Sequence, residues 1–433
     1  MASLLVVGLG RIGLPVALVA ADQGFNVVGV DLDPDHIHAL AAGAAPFEEP
    51  GLGALLERHV GQRFRPMAWS ETTEADLSDV EWVVLTVGVH DLPFPEPANL
   101  ATLHGVVAAL IEREALRGRT MILRTTLPVG TTHAIASHIE ECHGLIEGED
   151  YHLAFVPERL VEGQAIEEER RLPKIVGPMS HGALVAAEAL FSKIGGRVIP
   201  VAGPKEAEFV KLIDNAWRHT RFAFANDAAV AASAMGVDVI DVIEAANADY
   251  DRNAVARPGP VSGYCLGKDP IIFEYAMQEV PERSDLQSVW MTALRSSQRL
   301  VEWTVNRTIG SKVLVAGLTF KENIDDMRMA FSEPLIQRLL EEGHEVSICD
   351  PHLGMNAYTQ VWPSVEGKVE RSGTDLGTML HQERYDTVIL AVRHEAFENM
   401  HEVLSTQGRV LDLWNLYRGL SNQYGLGTSG GEA

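Results

Sequence analysis

Cys265 lies in the stretch Gly263-Tyr264-Cys265-Leu266-Gly267-Lys268-Asp269-Pro270, with a lysine three positions on and an aspartate four positions on. A thiolate is a strong nucleophile, and a neighbouring ammonium favours the ionised form. Moving hydride between an alcohol and a carbonyl needs no thiol. Carrying the carbon on to the acid level does, because covalent capture holds the aldehyde for a second oxidation. Far upstream, Gly8-Leu9-Gly10-Arg11-Ile12-Gly13 follows the strand-like run Leu4–Gly8 and opens a helical pattern. In such a turn Gly8 permits the tight bend, Gly10 lets the backbone approach a pyrophosphate, and Gly13 allows close helix–strand packing. Arg11 and Ile12 complete the phosphate-facing turn, and the helix N-terminus offers N–H groups to the phosphates. Asp31 ends the next strand. A carboxylate there bonds the adenosine ribose diol and repels a 2′-phosphate, so it selects NAD over NADP.

Further candidates are more ambiguous. Glu158 directly follows a strand end, where open α/β sheets place ligand contacts; a lone glutamate is otherwise a solvated charge. Lys211 and Asn215 stand at i and i+4, so a helix puts both on one face. A partly desolvated lysine stabilises an oxyanion, although it could equally be an ordinary surface residue. The run Glu167-Glu168-Glu169-Arg170-Arg171 reads as a solvated helix face.

The elements that must position these groups form two α/β regions around a helical one. Strand candidates are Leu4–Gly8, Val27–Val30, Trp82–Val87, Thr120–Arg124, His152–Phe155 and Arg197–Val201, with helical patterns between several of them. That alternation predicts a doubly wound parallel sheet. Alanine-rich, 3.6-periodic segments follow at Phe222–Met235, Val239–Ala246 and Gln287–Val305. A second α/β pattern runs through Lys312–Gly317, Pro334–Glu342, Glu345–Cys349, Thr387–Val392 and Val410–Leu413. The expected fold class is α/β: two Rossmann-like doubly wound domains, over 1–203 and 306–424, joined by an all-helical central domain over 204–305. The Gly-rich stretch 425–433 is expected to be a disordered tail.

Composition narrows the function classes. A chain of 433 residues supports two or three domains, and 46% hydrophobic with 22% charged residues is a globular profile. The formal net charge of −25 argues against nucleic acid, whose backbone is bound by clustered Lys and Arg. Three widely spaced cysteines, Cys142, Cys265 and Cys349, with no CxxC pair, exclude a disulfide framework and fit a reducing compartment. No apolar run reaches the roughly 18–20 residues of a membrane span. The chain therefore reads as cytoplasmic, and its histidines show no HExxH or comparable metal spacing.

Taken together the motifs resemble the UDP-glucose/GDP-mannose dehydrogenase family, the NAD-dependent nucleotide-sugar 6-dehydrogenases. The markers are GLGRIGLP at Gly8–Pro15, EEPGL at Glu48–Leu52, RTTLPVGTT at Arg124–Thr132 and PERLVEGQAIEEERRLPKIVG at Pro157–Gly177. They continue with KLIDNAWRHTRFAFAND at Lys211–Asp227, RPGPVSGYCLGKDP at Arg257–Pro270 and GLTFKENIDDMR at Gly317–Arg328. The YCLGKDP and PERLVEGQAI segments look more like the UDP-N-acetylhexosamine branch than the UDP-glucose branch. The resemblance implies Cys265 as nucleophile, Lys268 as a substrate contact, and Asp269 and Lys211 beside the reacting C6. It implies Glu158 as the base or water-orienting group in thioester hydrolysis, with Glu162 nearby and Asn215 on the substrate. Thr126 and Gly88 would line the NAD cleft, Lys321 would contact the UDP part, and Arg252 or Arg257 would reach a neighbouring subunit's substrate. A homodimer built through the helical domain is implied as well, and neither nucleic acid nor a membrane is a partner.

Three places depart from the family pattern: Ser262, Gly267 and Met329-Ala330-Phe331-Ser332-Glu333-Pro334. Two rivals remain. Tyr264 and Lys268 form a Tyr-x₃-Lys pair, as in short-chain dehydrogenases, which needs a helix; Pro258, Pro260, Gly263 and Gly267 predict a loop instead. The other rival is a non-catalytic nucleotide-sugar-binding protein, in which Cys265 would be an ordinary packing residue.

Overall fold

The computed structural model describes residues 3–88, 100–277, 287–355, 357–417 and 420–427. The chain divides into two compact units: Met1–Asp214 with Tyr275–Pro281, and Asn215–Glu274 with Glu282–Ala433. Among its described residues the first holds eight strands, β1 (Ser3–Val7), β2 (Asn26–Asp31), β3 (Phe64–Ala68), β4 (Trp82–Leu85), β5 (Thr120–Leu123), β6 (His152–Phe155), β7 (Lys174–Pro178) and β8 (Val198–Pro200). Their order is β3-β2-β1-β4-β5-β6-β7-β8, parallel except for the β6–β7 pair. Strands such as β1, β4 and β5 are buried along their whole length, as parallel strands covered on both faces must be. β3 and β7 were not expected. β3 carries Pro66 and lies on the sheet edge, where a missing N–H is tolerated, so its sequence lacks a strong strand signal.

The second unit carries the other sheet, β9 (Lys312–Ala316), β10 (Glu345–Cys349), β11 (Arg371–Gly373), β12 (Thr387–Leu390), β13 (Arg409–Asp412) and β14 (Gln423–Gly425). Its order is β11-β10-β9-β12-β13-β14, with every pair parallel. The expected tail therefore begins too early: Gly425 pairs with Asp412, Leu426 is buried, and the Gly427 carbonyl accepts the Val239 N–H at 2.7 Å. Residues 428–433 lie outside the described residues. Among the helices, Pro204–Met235 is 32 residues long, and Lys211, Asn215 and His219 recur along it every fourth residue. Val239–Asn247 and Val289–Val305 start on Asp238 and Ser288, whose side chains accept backbone N–H bonds as N-caps.

The acidic run near residue 169 is not uniformly solvated. Glu169 is 0% exposed and binds the equally buried Arg124 through two bonds of 2.7 and 3.1 Å, with Lys174 at 3.2 Å. Burial alone would raise its pKa, but the two cations outweigh it and hold the carboxylate below its ordinary range. The helix Ala165–Arg171 turns one of its three glutamates inward, which charge patterning could not reveal. Glu169→Gln leaves two cations without their anion and should cost about 3–5 kcal/mol in urea denaturation. Glu167→Gln, on the same helix but exposed, should stay within about 0.5 kcal/mol of the parent.

Candidate active site

In the first unit the glycine turn is built as its spacing implies. Gly8 has φ +89°, donates its N–H to Val30 at 2.8 Å and accepts the Thr86 hydroxyl at 2.8 Å. A Cβ on Gly13 would strike both the Gly8 carbonyl and that hydroxyl, so only glycine fits. A Cβ on Gly10 would meet nothing within 4 Å, which leaves open space over the turn. The helix Gly13–Asp22 begins at Ile12 with no side-chain cap and no acid in its first turn, as suits a phosphate. Asp31 does more than the sequence suggested. Its Oδ2 accepts the Leu9 N–H at 2.8 Å and its Oδ1 accepts Leu32 at 2.7 Å, so it braces the turn. The Asp33 N–H also reaches Oδ1, at 3.3 Å, and since a carboxylate has about four acceptor sites, capacity for a ribose hydroxyl remains. The open cradle, uncapped helix and half-exposed carboxylate fit NAD. Gly88 follows β4 and Thr126 follows β5, both partly exposed at the strand ends beside the point where the strand order reverses, the usual ligand crevice.

Arg11 and Glu162 are brought together at 3.3 Å, with the Arg11 guanidinium 5.1 Å from the Phe47 ring centroid. Glu49, of the EEPGL motif, accepts the Gly163 and Ala165 N–H groups at 2.7 and 2.8 Å and so fixes the segment after Glu162. Glu158 and Lys211 are not surface charges: they are 7% and 4% exposed, with Lys211 Nζ 3.4 Å from Glu158 Oε2. The Leu160 N–H donates to the other Glu158 oxygen.

In the second unit the expected loop around Cys265 is a helix, Tyr264–Ala276, with Gly267 and Pro270 inside it. Gly263, at φ +98°, enters it, and its own Cβ would hit the Phe320 ring at 2.7 Å. Cys265 and Asp269 thus lie one turn apart on the same side. Cys265 is exposed, whereas Asp269 is 0% exposed. Asn215 donates to Asp269 Oδ2 at 2.6 Å. Among the described residues Asp269 Oδ1 accepts no hydrogen bond, and the Lys268 ammonium stands 3.7 Å from it. A buried carboxylate oxygen left open in this way is suited to a water or a substrate hydroxyl.

Sequence reasoning missed His219. Pro270 has no N–H, so the Leu266 carbonyl cannot make its usual helical bond. His219 Nδ1 takes that carbonyl at 2.9 Å, and its Nε2 meets Ser297 Oγ at 3.1 Å. Burial lowers the His219 pKa, and because a carbonyl only accepts, Nδ1 is the donor in this bond. The signal was present: an internal proline obliges something to satisfy the carbonyl four residues earlier.

The helical setting removes the original objection to the Tyr264–Lys268 pair. The Lys268 ammonium, however, lies over the face of the Tyr264 ring, 4.6 Å from its centroid, and within reach of Asp269. Lys321 sits in the loop after β9. Thr319 Oγ1 donates to its carbonyl at 2.8 Å, and the buried His394 accepts the Asn323 N–H at 3.0 Å. Arg252 is not in the Cys265 cluster; its guanidinium stacks on Tyr250 at 4.6 Å beside a groove bordered by Trp217 and Phe224. Arg257 is exposed and pairs with Glu244 at 2.5 Å.

Comparison with known proteins agrees with both units. The NAD-binding, central and UDP-binding domain models of the UDP-glucose/GDP-mannose dehydrogenase family match residues 2–195, 205–295 and 314–419. An NDP-N-acetyl-D-galactosaminuronic acid dehydrogenase of Ralstonia nicotianae is 27% identical over 412 residues, 91% of each chain. The solved structure of a UDP-D-ManNAc dehydrogenase from Pyrococcus horikoshii superposes with a TM-score of 0.84 at 26% identity, covering 99% of this chain and 100% of that one. A UDP-glucose dehydrogenase from Pyrobaculum islandicum gives the same TM-score at 25% identity, covering 99% and 98%. The fold and site thus define a dinucleotide-dependent oxidoreductase. The chain belongs to the UDP-glucose/GDP-mannose dehydrogenase family, with NAD as cofactor.

The three thiols differ sharply in environment. Burial, with Asp350 and Asp375 nearby, pushes the Cys349 thiol up to about 12, whereas Cys142 and Cys265 are exposed. Iodoacetamide on the native protein should therefore label Cys142 and Cys265 and spare Cys349 until denaturant is added, as read by peptide mass spectrometry.

Proposed function

We propose that this enzyme oxidises the C6 hydroxymethyl of a UDP-N-acetylhexosamine, the N-acetylmannosamine or N-acetylglucosamine form, to the uronate through a cysteine-bound intermediate. The observation that carries this reading is an exposed thiol one helical turn from a fully buried carboxylate with an open oxygen. A four-electron oxidation needs both a covalent trap for the aldehyde and a group that handles water. NAD supplies the hydride acceptor for each of two oxidations. Cys265 Sγ adds to the aldehyde carbon to form a thiohemiacetal. Loss of hydride from that carbon, with loss of its hydroxyl proton, gives the thioester. Water then attacks the thioester carbonyl, the C–S bond breaks, and the thiolate is regenerated beside the acid product.

In this reading Asp269 orients the attacking water or substrate hydroxyl, held by Asn215. Lys211 stabilises oxygen as it becomes negative, and the acceptor Glu158 takes the proton from water. Lys268 and Glu162 contact the sugar, and Lys321 contacts the diphosphate. The enzyme works in the cytoplasm as a homodimer. Trp217 and Phe224 expose apolar surface on the long helix, and a second copy of the chain is the occupant assigned to it. Trp217→Asp should then shift the mass measured by light scattering from dimer toward monomer.

The deciding measurement is NADH formed at completion per mole of limiting sugar nucleotide. UDP-N-acetylmannosamine, UDP-N-acetylglucosamine and UDP-glucose are each tried. Two NADH from an N-acetylhexosamine nucleotide is the expected result, with Cys265→Ser forming no acid product. Two from UDP-glucose alone moves the substrate to that branch. One NADH sinks the covalent trap, and none from any, with NAD bound, favours the non-catalytic reading.

A further inference from the structure

Ser262, Gly267 and Met329, which the sequence scatters over some distance, meet in the second unit. The Met329 carbonyl accepts the Gly263 N–H at 3.0 Å, and the Phe331 N–H donates to Ser262 Oγ at 2.7 Å. The two bonds run in opposite senses and stitch the segment after Arg328 onto the start of the helix that bears Cys265. Between them the Met329 side chain occupies the space that Gly267 leaves: a Cβ on residue 267 would lie 2.5 Å from Met329 Cε and 3.3 Å from Sδ. Met329 adopts φ +52°, a left-handed conformation that a long side chain rarely takes, yet it is 48% exposed. Burial of apolar area does not account for a methionine held that way. Its contact with the turn between Cys265 and Asp269 does.

We propose that Met329 is a positioning residue: it clamps the first turn of the Cys265 helix to the loop following β9 and so fixes the direction of the thiol. His219 holds the Leu266 carbonyl of the same turn, so the clamp adds a hold at Gly267. Arg328 adds to the tie, with its guanidinium 5.6 Å from the Tyr264 ring centroid and bonded to Asp326 at 2.9 Å. Residues 317–331 also carry Lys321, so the loop assigned to the diphosphate and the turn bearing the nucleophile are joined within one unit. The inference rests on Cys265 being the nucleophile.

The test uses the full-length enzyme and four variants, Met329→Gly, Met329→Leu, Gly267→Ala and the double variant Gly267→Ala/Met329→Gly. Glycine relaxes the left-handed backbone, so Met329→Gly should melt no lower than the parent. Its kcat should nevertheless fall about ten- to hundredfold, with KM for the sugar nucleotide changed by less than about threefold, because misdirection costs rate rather than affinity. Its Cys265 alkylation rate should change by more than about threefold. Met329→Leu, which refills the gap, should recover most of the kcat. Gly267→Ala folds, since the end of a half-exposed methionine can swing aside, and should lose kcat in the same way. In the double variant the new methyl enters the vacated space, so the combined loss should be smaller than the product of the single losses. Parent-like kcat and alkylation in Met329→Gly, or losses that simply multiply, would overturn the clamp. Failure of the nucleophile itself reads out separately, as acid product formed by Cys265→Ser; alkylation of Cys265 and its dependence on Met329 are measured without turnover.

Discussion

The helix Tyr264–Ala276 violates two rules of helix formation, and much of the second unit's architecture answers to those violations. Glycine and proline both disfavour a helix interior, the first by backbone freedom and the second by a missing N–H. Gly267 lies within the turn that joins Cys265 to Asp269, and Pro270 directly follows it. Each leaves a defined deficit. Pro270 strands the Leu266 carbonyl, which draws in His219 from the long helix; Gly267 leaves a space, which Met329 fills from the loop after β9. A regular helix would need neither partner and would lack these two ties. The irregular one is fixed from outside, which allows an exposed thiol to keep a defined direction while the carboxylate behind it is fully buried.

The two sheets solve a related problem with the same device. In the first, Gly8 turns with φ +89° after β1, and Asp31, ending β2, accepts the N–H of the next residue, Leu9. In the second, Gly317 turns with φ +94° after β9, and Asp350, just past β10, accepts the N–H of Leu318 at 2.7 Å. A carboxylate at the end of the neighbouring strand thus closes each turn by a charge-assisted bond. The outcomes differ with burial. Asp31 is partly exposed and keeps acceptor capacity toward solvent. Asp350 is buried and also meets His394 Nε2 at 3.1 Å, so its role is internal bracing of the loop that carries Lys321. One backbone solution therefore gives a part-exposed acid in one unit and a buried, structural acid in the other.

Periodicity and glycine spacing made most of this fold legible. β1, β2, β4, β9, β10 and β12 announce themselves as apolar runs because parallel strands are covered on both faces, and Gly8, Gly10 and Gly13 specify a turn with little tolerance. Edge strands such as β3, β11 and β14 escaped, since an edge strand need not be apolar or free of proline. The Cys265 helix escaped for the opposite reason: Pro258, Pro260, Gly263 and Gly267 read as breaker signals, but the first three precede the helix and Gly267 is accommodated inside it. Glu169 shows a third limit. One charge in a run of five faces inward only because Arg124 and Lys174 wait there, and neither is adjacent to it in a sense that spacing records.

The same limit governs the functional groups. Residue type and motif order pointed to Glu158, Lys211, Asn215 and Asp269, but their chemistry depends on burial, which motif order does not carry. Lys211 at the surface would be a hydrated ammonium, strongly screened; nearly enclosed, it is held in an ion pair with Glu158 at 3.4 Å that water screens far less. Asp269 in water would be one more of this acidic chain's carboxylates. Enclosed, with Asn215 satisfying one oxygen and, among the described residues, nothing donating to the other, it retains an unmet demand for a hydrogen bond. That demand comes from burial, which residue type alone does not carry. A water or a hydroxyl is the kind of group that answers it, since a carboxylate oxygen accepts and does not donate.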